Sequence, residues 1–106
     1  MCFEEKKREA KRLYELMQEK YPDMCWGPEQ FMLDLMEEVG ELSNALLVER
    51  GHKFRSRQKS TLEDAFFDIL FDLFLLADKL NINLDKAWEN EIEAFRRRVV
   101  TGEFDK

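Results

Sequence analysis

The sequence holds few of the residues that build zinc sites, disulfide frameworks or folds of strands and tight turns. It has two cysteines and one histidine in 106 residues. Cys2 and Cys25 form no CxxC pair and no nearby histidine completes a zinc set, so we expect free thiols in a reducing cytoplasm. Only four glycines and two prolines accompany 38% charged residues, a composition that favours helices.

Two further absences concern partners and location. The formal net charge is −6, and without a basic surface a nucleic-acid polymer is a poor partner. The longest apolar stretch, residues 65–77, is interrupted by Asp68 and Asp72 and is too short for a membrane span. Residues 1–11 are charged throughout, unlike a signal peptide. We expect one cytoplasmic domain over residues 1–106.

Hydrophobic periodicity predicts an all-α fold of four helices. The first two are expected over residues 4–20 and 27–49, with Pro28 in the first turn of the second and Gly51 as its stop signal. Residues 50–60, rich in Arg and Lys and free of acids, are predicted to form a loop. A capping box formed by Ser60 and Glu63 should open the third helix, which ends near residue 80, and Asn83 should cap the fourth.

The third predicted helix is apolar on nearly every side, with nine large apolar residues between positions 66 and 76. Such a helix must be central in a bundle or an oligomer. Because one short chain covers it poorly, we expect a homodimer or homotetramer built on these helices.

Carboxylates within these apolar helices are the strongest chemical signal. The second helix carries four acids at steps of three, one and three, and the third carries three acids at steps of four: Asp34, Glu37, Glu38 and Glu41, then Asp64, Asp68 and Asp72. Residues at these spacings share a helix face. Unpaired buried carboxylates are costly, and a hard cation such as Mg²⁺ or Mn²⁺ relieves that cost and takes oxygen ligands.

A plainer interpretation remains open for each group of acids. Asp34 and the Glu37–Glu41 group also fit a solvated helix face, and Asp68 also fits a pairing with an arginine of the loop.

Several segments resemble the MazG-type all-α nucleoside triphosphate pyrophosphohydrolases. The resemblance covers residues 26–98 and is carried by WGPEQ at 26–30, EEVGEL at 37–42, DIL at 68–70 and LADKLNINL at 76–84. It implies a four-helix bundle completed by oligomerisation. It also implies Mg²⁺-dependent hydrolysis of a (deoxy)nucleoside triphosphate to the monophosphate and pyrophosphate.

The resemblance also assigns roles to individual residues. Glu38, Glu41 and Asp68 would bind the metal ion, and Glu37 would be a further ligand or would orient the attacking water, with Glu37 and Glu38 as the catalytic carboxylates. Arg98 falls where the family has an arginine that contacts phosphate. Lys53 of the basic loop is a second candidate for phosphate, and Trp26 for stacking on the base; a solvated linker and core packing are the respective alternatives.

Three positions depart from the family pattern. Ala65 stands where the family has Glu, and Glu91 and Phe95 stand where it has Lys and Asn. We predict that Asp64 replaces the missing Glu, through a bridging water, with Asp72 as the rival candidate.

These departures leave three hypotheses open. The first is an active pyrophosphohydrolase, the second a catalytically weak relative that senses metal or nucleotide, and the third a purely structural bundle.

Overall fold

The structure is a computed structural model that describes residues 2–105; Met1 and Lys106, the ends of the predicted domain, lie outside the described residues. The helices are α1 (Phe3–Lys20), α2 (Pro28–Glu49), α3 (Leu62–Lys79) and α4 (Leu84–Val100), with a 3-10 turn at Arg55–Arg57. Over residues 2–105 there is no strand, which confirms the all-α fold class, and no helix there is long and apolar enough to cross a membrane.

Local hydrogen bonds at the ends of α2 explain its bounds. Pro28 is the first helical residue, and the Gln30 side chain accepts a hydrogen bond from the Gly27 N–H at 2.8 Å. At the other end Gly51 adopts a φ of 78°, and the His52 N–H donates to the Leu47 carbonyl at 2.8 Å. This is the left-handed helix stop that glycine favours, and it confirms the predicted end of α2.

The predicted caps of α3 and α4 have different outcomes. Asn83 caps α4 as expected, since its Oδ1 accepts from the Lys86 N–H at 3.0 Å. The capping box at Ser60 is wrong: α3 begins one residue later, and the Oγ1 of Thr61 accepts from the Asp64 N–H at 3.1 Å. Thr61 thereby satisfies one of the amide donors that a helix start leaves free.

A small aromatic core joins α1, α2 and α3, with α3 packed against the other two helices. Its buried members are Ala10, Tyr14, Phe31 and Leu75. The ring of Phe31 meets those of Tyr14 and Trp26 edge-on, at centroid distances of 5.2 and 5.4 Å. The Tyr14 hydroxyl also accepts from the Trp26 N–H at 2.8 Å, so the core fixes the connection between α1 and α2.

Helix α4 is joined to the rest of the chain mainly at its first turn. The Asp85 carboxylate accepts from the N–H groups of Phe3 and Glu4, at 2.7 and 3.3 Å. In return, the Glu4 carboxylate accepts from the Leu84 N–H at 2.9 Å. Each helix start thus receives an acid from the other, which suits the positive end of both helix dipoles.

The remainder of α4 extends away from the other helices. Its apolar stripe, formed by Trp88, Ile92, Phe95 and Val99 at helical spacing, is exposed, with these side chains between 41% and 57% accessible. The radius of gyration is 17.5 Å, whereas a compact domain of this length has about 13 Å. The chain by itself therefore leaves the apolar face of α4 uncovered.

Phe31 is only 1% exposed at the centre of the aromatic core. Phe31→Ala should lower the free energy of unfolding by about 3–5 kcal/mol, because it removes a buried ring and leaves a cavity. The measurement is urea denaturation followed by circular dichroism. Phe54, 81% exposed in the loop, is the matched control, and Phe54→Ala should change stability little; equal losses in both variants would contradict this core.

Candidate metal site

The packing of α2 on α3 brings three predicted acids together. Glu38 and Glu41 lie one turn apart on α2, and Asp68 lies on α3. One carboxylate oxygen of each residue can be chosen so that all three atoms lie within 4.8 Å of one another. All three side chains are half-buried, so the cluster sits at the edge of the helix interface.

Within residues 2–105, no basic side chain forms an ion pair with these three acids, which we call the Glu38–Glu41–Asp68 cluster. The ion pairs found over residues 2–105 involve none of its three members, so Asp68 is not paired with a loop arginine. The Oε2 of Glu38 is buried without a hydrogen-bond partner. Burial, the hydrogen bond and charge of Glu41, and the charges of Asp68 and Asp34 raise the pKa of Glu38 to about 8.

The donor set fits a hard divalent ion. Carboxylate oxygens are the ligands that Mg²⁺ and Mn²⁺ prefer. Ligands on opposite sides of an octahedral Mg²⁺ lie about 4 Å apart, so small side-chain rotations would bring this cluster onto one ion. A bound cation would also give the unpartnered Glu38 oxygen a partner and offset the repulsion among the acids.

A second pair of acids lies next to the cluster. Asp72 is only 4% exposed, and its Oδ2 has no hydrogen-bond partner. Burial, followed by the hydrogen bond and charge of Asp34 and the charge of Asp68, raises the pKa of Asp72 to about 8. The sequence placed Asp34 on the acidic face of α2, with a solvated position as the alternative, and made Asp72 a rival ligand. The signals for Asp72 were its four-residue spacing from Asp68 and its place in the middle of the most apolar helix.

Both groups of acids border one cavity of about 150 Å³ between α1, α2 and α3. Asp34, Glu38, Asp68 and Asp72 line it together with aromatic and apolar side chains: Tyr14, Met17, Met24, Trp26, Phe31, Phe71 and Leu75. Trp26 therefore belongs both to the aromatic core and to the cavity wall. The cavity joins a carboxylate cluster to a hydrophobic recess.

The remaining candidate ligands lie outside the cluster. Glu37 is exposed on α2, and Asp64 is exposed on the first turn of α3. Ala65, at the position of the family's Glu, is completely buried, so a longer side chain there would have to displace its neighbours. The role of Asp64 as a water-bridged ligand stays a prediction, and Asp72 is the acid that shares the cavity with Asp68.

The two predicted phosphate contacts are not among the residues that line this cavity. Arg98 lies near the end of α4, with its Nε 3.8 Å from an oxygen of Glu103. Lys53 lines a separate surface hollow of about 550 Å³, together with Asn44, Gly51, His52, Phe54, Arg57 and Lys59. Within one chain, then, neither Arg98 nor Lys53 lines the acidic cavity.

Comparison with models of protein families, with curated proteins and with solved structures gives no match for this chain.

Without metal, the protein should be less stable at pH 8 than at pH 5. The raised pKa of Glu38 means that the folded chain binds more protons than the unfolded chain between pH 4.5 and about 8. The free energy of unfolding therefore falls as the pH rises through that window. Urea denaturation in the presence of a chelator measures this dependence.

Glu38→Gln should reduce the pH dependence and leave the part that the raised pKa of Asp72 contributes, whereas Glu49→Gln, at an exposed position on the same helix, should leave it unchanged. Added Mg²⁺ should stabilise the wild-type protein more at pH 8 than at pH 5, since binding needs the ionised carboxylates. A metal-free protein equally stable at both values would contradict the described environment of Glu38.

Proposed function

We propose that this protein is a cytoplasmic, Mg²⁺-dependent nucleoside triphosphate pyrophosphohydrolase with a MazG-like bundle, which converts a (d)NTP and water to the (d)NMP and pyrophosphate. The observation that carries the proposal is the convergence of Glu38, Glu41 and Asp68 within 4.8 Å, without a counter-charge and with a buried unpartnered oxygen on Glu38. The motif resemblance over residues 26–98 supports the same chemistry.

The acids of α2 and α3 have separate roles in the proposed reaction. Glu38, Glu41 and Asp68 hold the ion, Mg²⁺ or alternatively Mn²⁺. When bound, the ion neutralises triphosphate oxygens and positions a water for in-line attack at the α-phosphorus. Glu37, adjacent to Glu38 and exposed, orients that water, and a carboxylate beside the metal accepts its proton.

The phosphate contacts of the proposal come from a second copy of the chain. Arg98 and Lys53 do not line the acidic cavity of their own chain. The apolar stripe of α4 is exposed, and a stripe of this kind on a soluble helix is usually buried in a contact. In a homodimer or homotetramer that covers α4, the Arg98 and Lys53 side chains of one copy would reach the acidic cluster of another.

A second candidate function is a metal or nucleotide sensor with little or no turnover. The observation that favours it is the complete burial of Ala65, which closes the position where the related enzymes carry a fourth carboxylate. Glu91 and Phe95 add weight, because they replace the Lys and Asn of the family. A purely structural bundle is disfavoured, because it gives no reason for the buried Asp72 or for the buried, unpartnered oxygen of the half-buried Glu38.

Incubation with Mg²⁺ and a panel of nucleoside triphosphates should release pyrophosphate rather than orthophosphate. Glu38→Ala, Glu41→Ala and Asp68→Ala should each lower kcat/KM by a hundredfold or more, because loss of a ligand misplaces both metal and water. Glu49→Ala, also on α2 but away from the cluster, is the control. Near-normal rates in all three cluster variants would contradict the assignment of the active site to this cluster. Metal binding without pyrophosphate release would favour the sensor hypothesis.

Sedimentation equilibrium at micromolar concentration should give a dimer or tetramer. Ile92→Glu, in the middle of the α4 stripe, should shift the protein to monomer by burying a charge in the contact. Asn90→Glu, about half a helical turn away on the opposite face of α4, adds the same charge and should leave the assembly intact. A monomeric wild-type protein would rule out this arrangement.

A further inference from the structure

The loop between α2 and α3 concentrates positive charge on one surface of an acidic chain. Residues 50–59 include five Arg or Lys side chains and one histidine, and no acid occurs between Glu49 and Glu63. All residues at positions 50–59 are exposed. The ion pairs found within residues 2–105 include no side chain of this loop. The positive charge of the loop is therefore available to an anion from outside the chain.

The surface hollow that this loop forms, called the basic hollow below, has the size of a ligand site. Its volume is about 550 Å³, within the range of about 300–1,000 Å³ that is usual for small-molecule sites. Lys53, Arg57 and Lys59 line it, whereas no Asp or Glu of residues 2–105 does. Several cations around one hollow match a group with several negative charges, such as a diphosphate or triphosphate, better than they match a single carboxylate.

Hydrogen bonds to α2 hold the backbone of the hollow in place. The Lys59 N–H donates to the Oδ1 of Asn44 at 3.0 Å, and the His52 N–H donates to the Leu47 carbonyl at 2.8 Å. Both ends of the loop are thus joined to the same helix, and the 3-10 turn at Arg55–Arg57 lies between them. A solvated linker has no need of such bonds, whereas a binding site gains from them, because less freedom is lost when the ligand binds.

Phe54 adds an aromatic face to the basic hollow. It lines the hollow and is 81% exposed, the highest value among the large apolar side chains described. The fold therefore buries little of this ring. An exposed ring beside cations that bind phosphate is suited to stack on a nucleobase, as aromatic side chains do in proteins that bind single-stranded nucleic acids.

We infer that the basic hollow is a second nucleotide site, which binds the phosphates of a nucleoside diphosphate or triphosphate through Lys53, Arg57 and Lys59 and stacks the base on Phe54. Every base has a flat face, so the site accepts all of them. The inference goes beyond the proposed function, because the site needs neither a metal ion nor the Glu38–Glu41–Asp68 cluster. It is also complete within one chain, whereas the proposed catalysis uses Lys53 at the acidic cluster of another copy.

Titration calorimetry with dATP in a chelator tests the site on the Glu38→Ala protein, in which the acidic cluster has neither a metal ion nor its full set of carboxylates. Binding of dATP should persist. Adding Arg57→Gln and Lys59→Gln should weaken it by about tenfold or more, because two of the phosphate contacts lose their charge. Both side chains are exposed, so these changes should leave the fold intact.

The matched control is the pair Arg12→Gln and Lys20→Gln, which removes the same charge from exposed positions on α1 outside the hollow and should keep the affinity for dATP. An equal loss in both pairs would overturn the inference, because it would reduce the effect to net charge. Binding of dATP only with Mg²⁺ and an intact Glu38 would also overturn it, because the loop would then serve only the acidic cluster of a neighbouring copy.

Inorganic triphosphate separates a nucleotide site from a site for free polyphosphate. Phe54→Ala should weaken dATP binding by about tenfold, because the stacking contact with the base is lost, and should leave triphosphate binding unchanged. The same affinity for dATP in Phe54→Ala and in the parent protein would overturn the assignment to a nucleotide. A single-stranded oligonucleotide that binds far more tightly than dATP would overturn it as well, by identifying the loop as a nucleic-acid surface.

Discussion

The constraint on which the rest of this structure depends is a pair of carboxyl groups, the half-buried Glu38 and the buried Asp72, that form no ion pair with a basic side chain within residues 2–105. The packing of α2 on α3 encloses Glu38 and Asp72 beside an aromatic core, and each keeps an oxygen without a hydrogen-bond partner. Desolvation and neighbouring acids raise the pKa of both residues to about 8. A fold that had only to be stable would carry apolar residues at these positions, because burying an acid costs more than it returns.

The aromatic core and the acids are two parts of one arrangement. Tyr14, Phe31 and Leu75 belong both to the core cluster and to the cavity wall, so the contacts that hold the helices together also shape the recess. The hydrogen bond from the Trp26 N–H to the Tyr14 hydroxyl fixes the indole at the rim of that recess. In the proposed function, surroundings of this kind would hold the carboxylates close together before an ion binds and so reduce the cost of binding.

On the surface of the molecule, by contrast, large apolar side chains are exposed to water. Helix α4 is held by reciprocal capping at its first turn, through Glu4 and Asp85, while its apolar stripe lies open. Large apolar side chains on α3 are open as well, among them Phe66 and Phe67 at 57% and 59% exposure. Exposed apolar surface of this extent is typical of an interaction site, and the second copy proposed above would cover it.

The sequence by itself determined what depends on neighbours along the chain. Helical periodicity, Pro28, Gly51 and Asn83 placed the four helices to within a residue or two, since each signal acts through local hydrogen bonds and backbone angles. Spacing placed seven acids on two helix faces, and the motif resemblance pointed to Glu38, Glu41 and Asp68, the three whose oxygens the fold brings together.

Only the tertiary structure decided the contacts between helices, which local signals do not encode. It set the burial of Ala65 and Asp72, the exposure of Asp64, and the half-buried position of Asp34 at the cavity wall, for which the sequence had left a solvated face open. These properties follow from the register in which α3 packs on α2 and α1. A rotation of α3 by a fraction of a turn would bury different acids without changing a single residue.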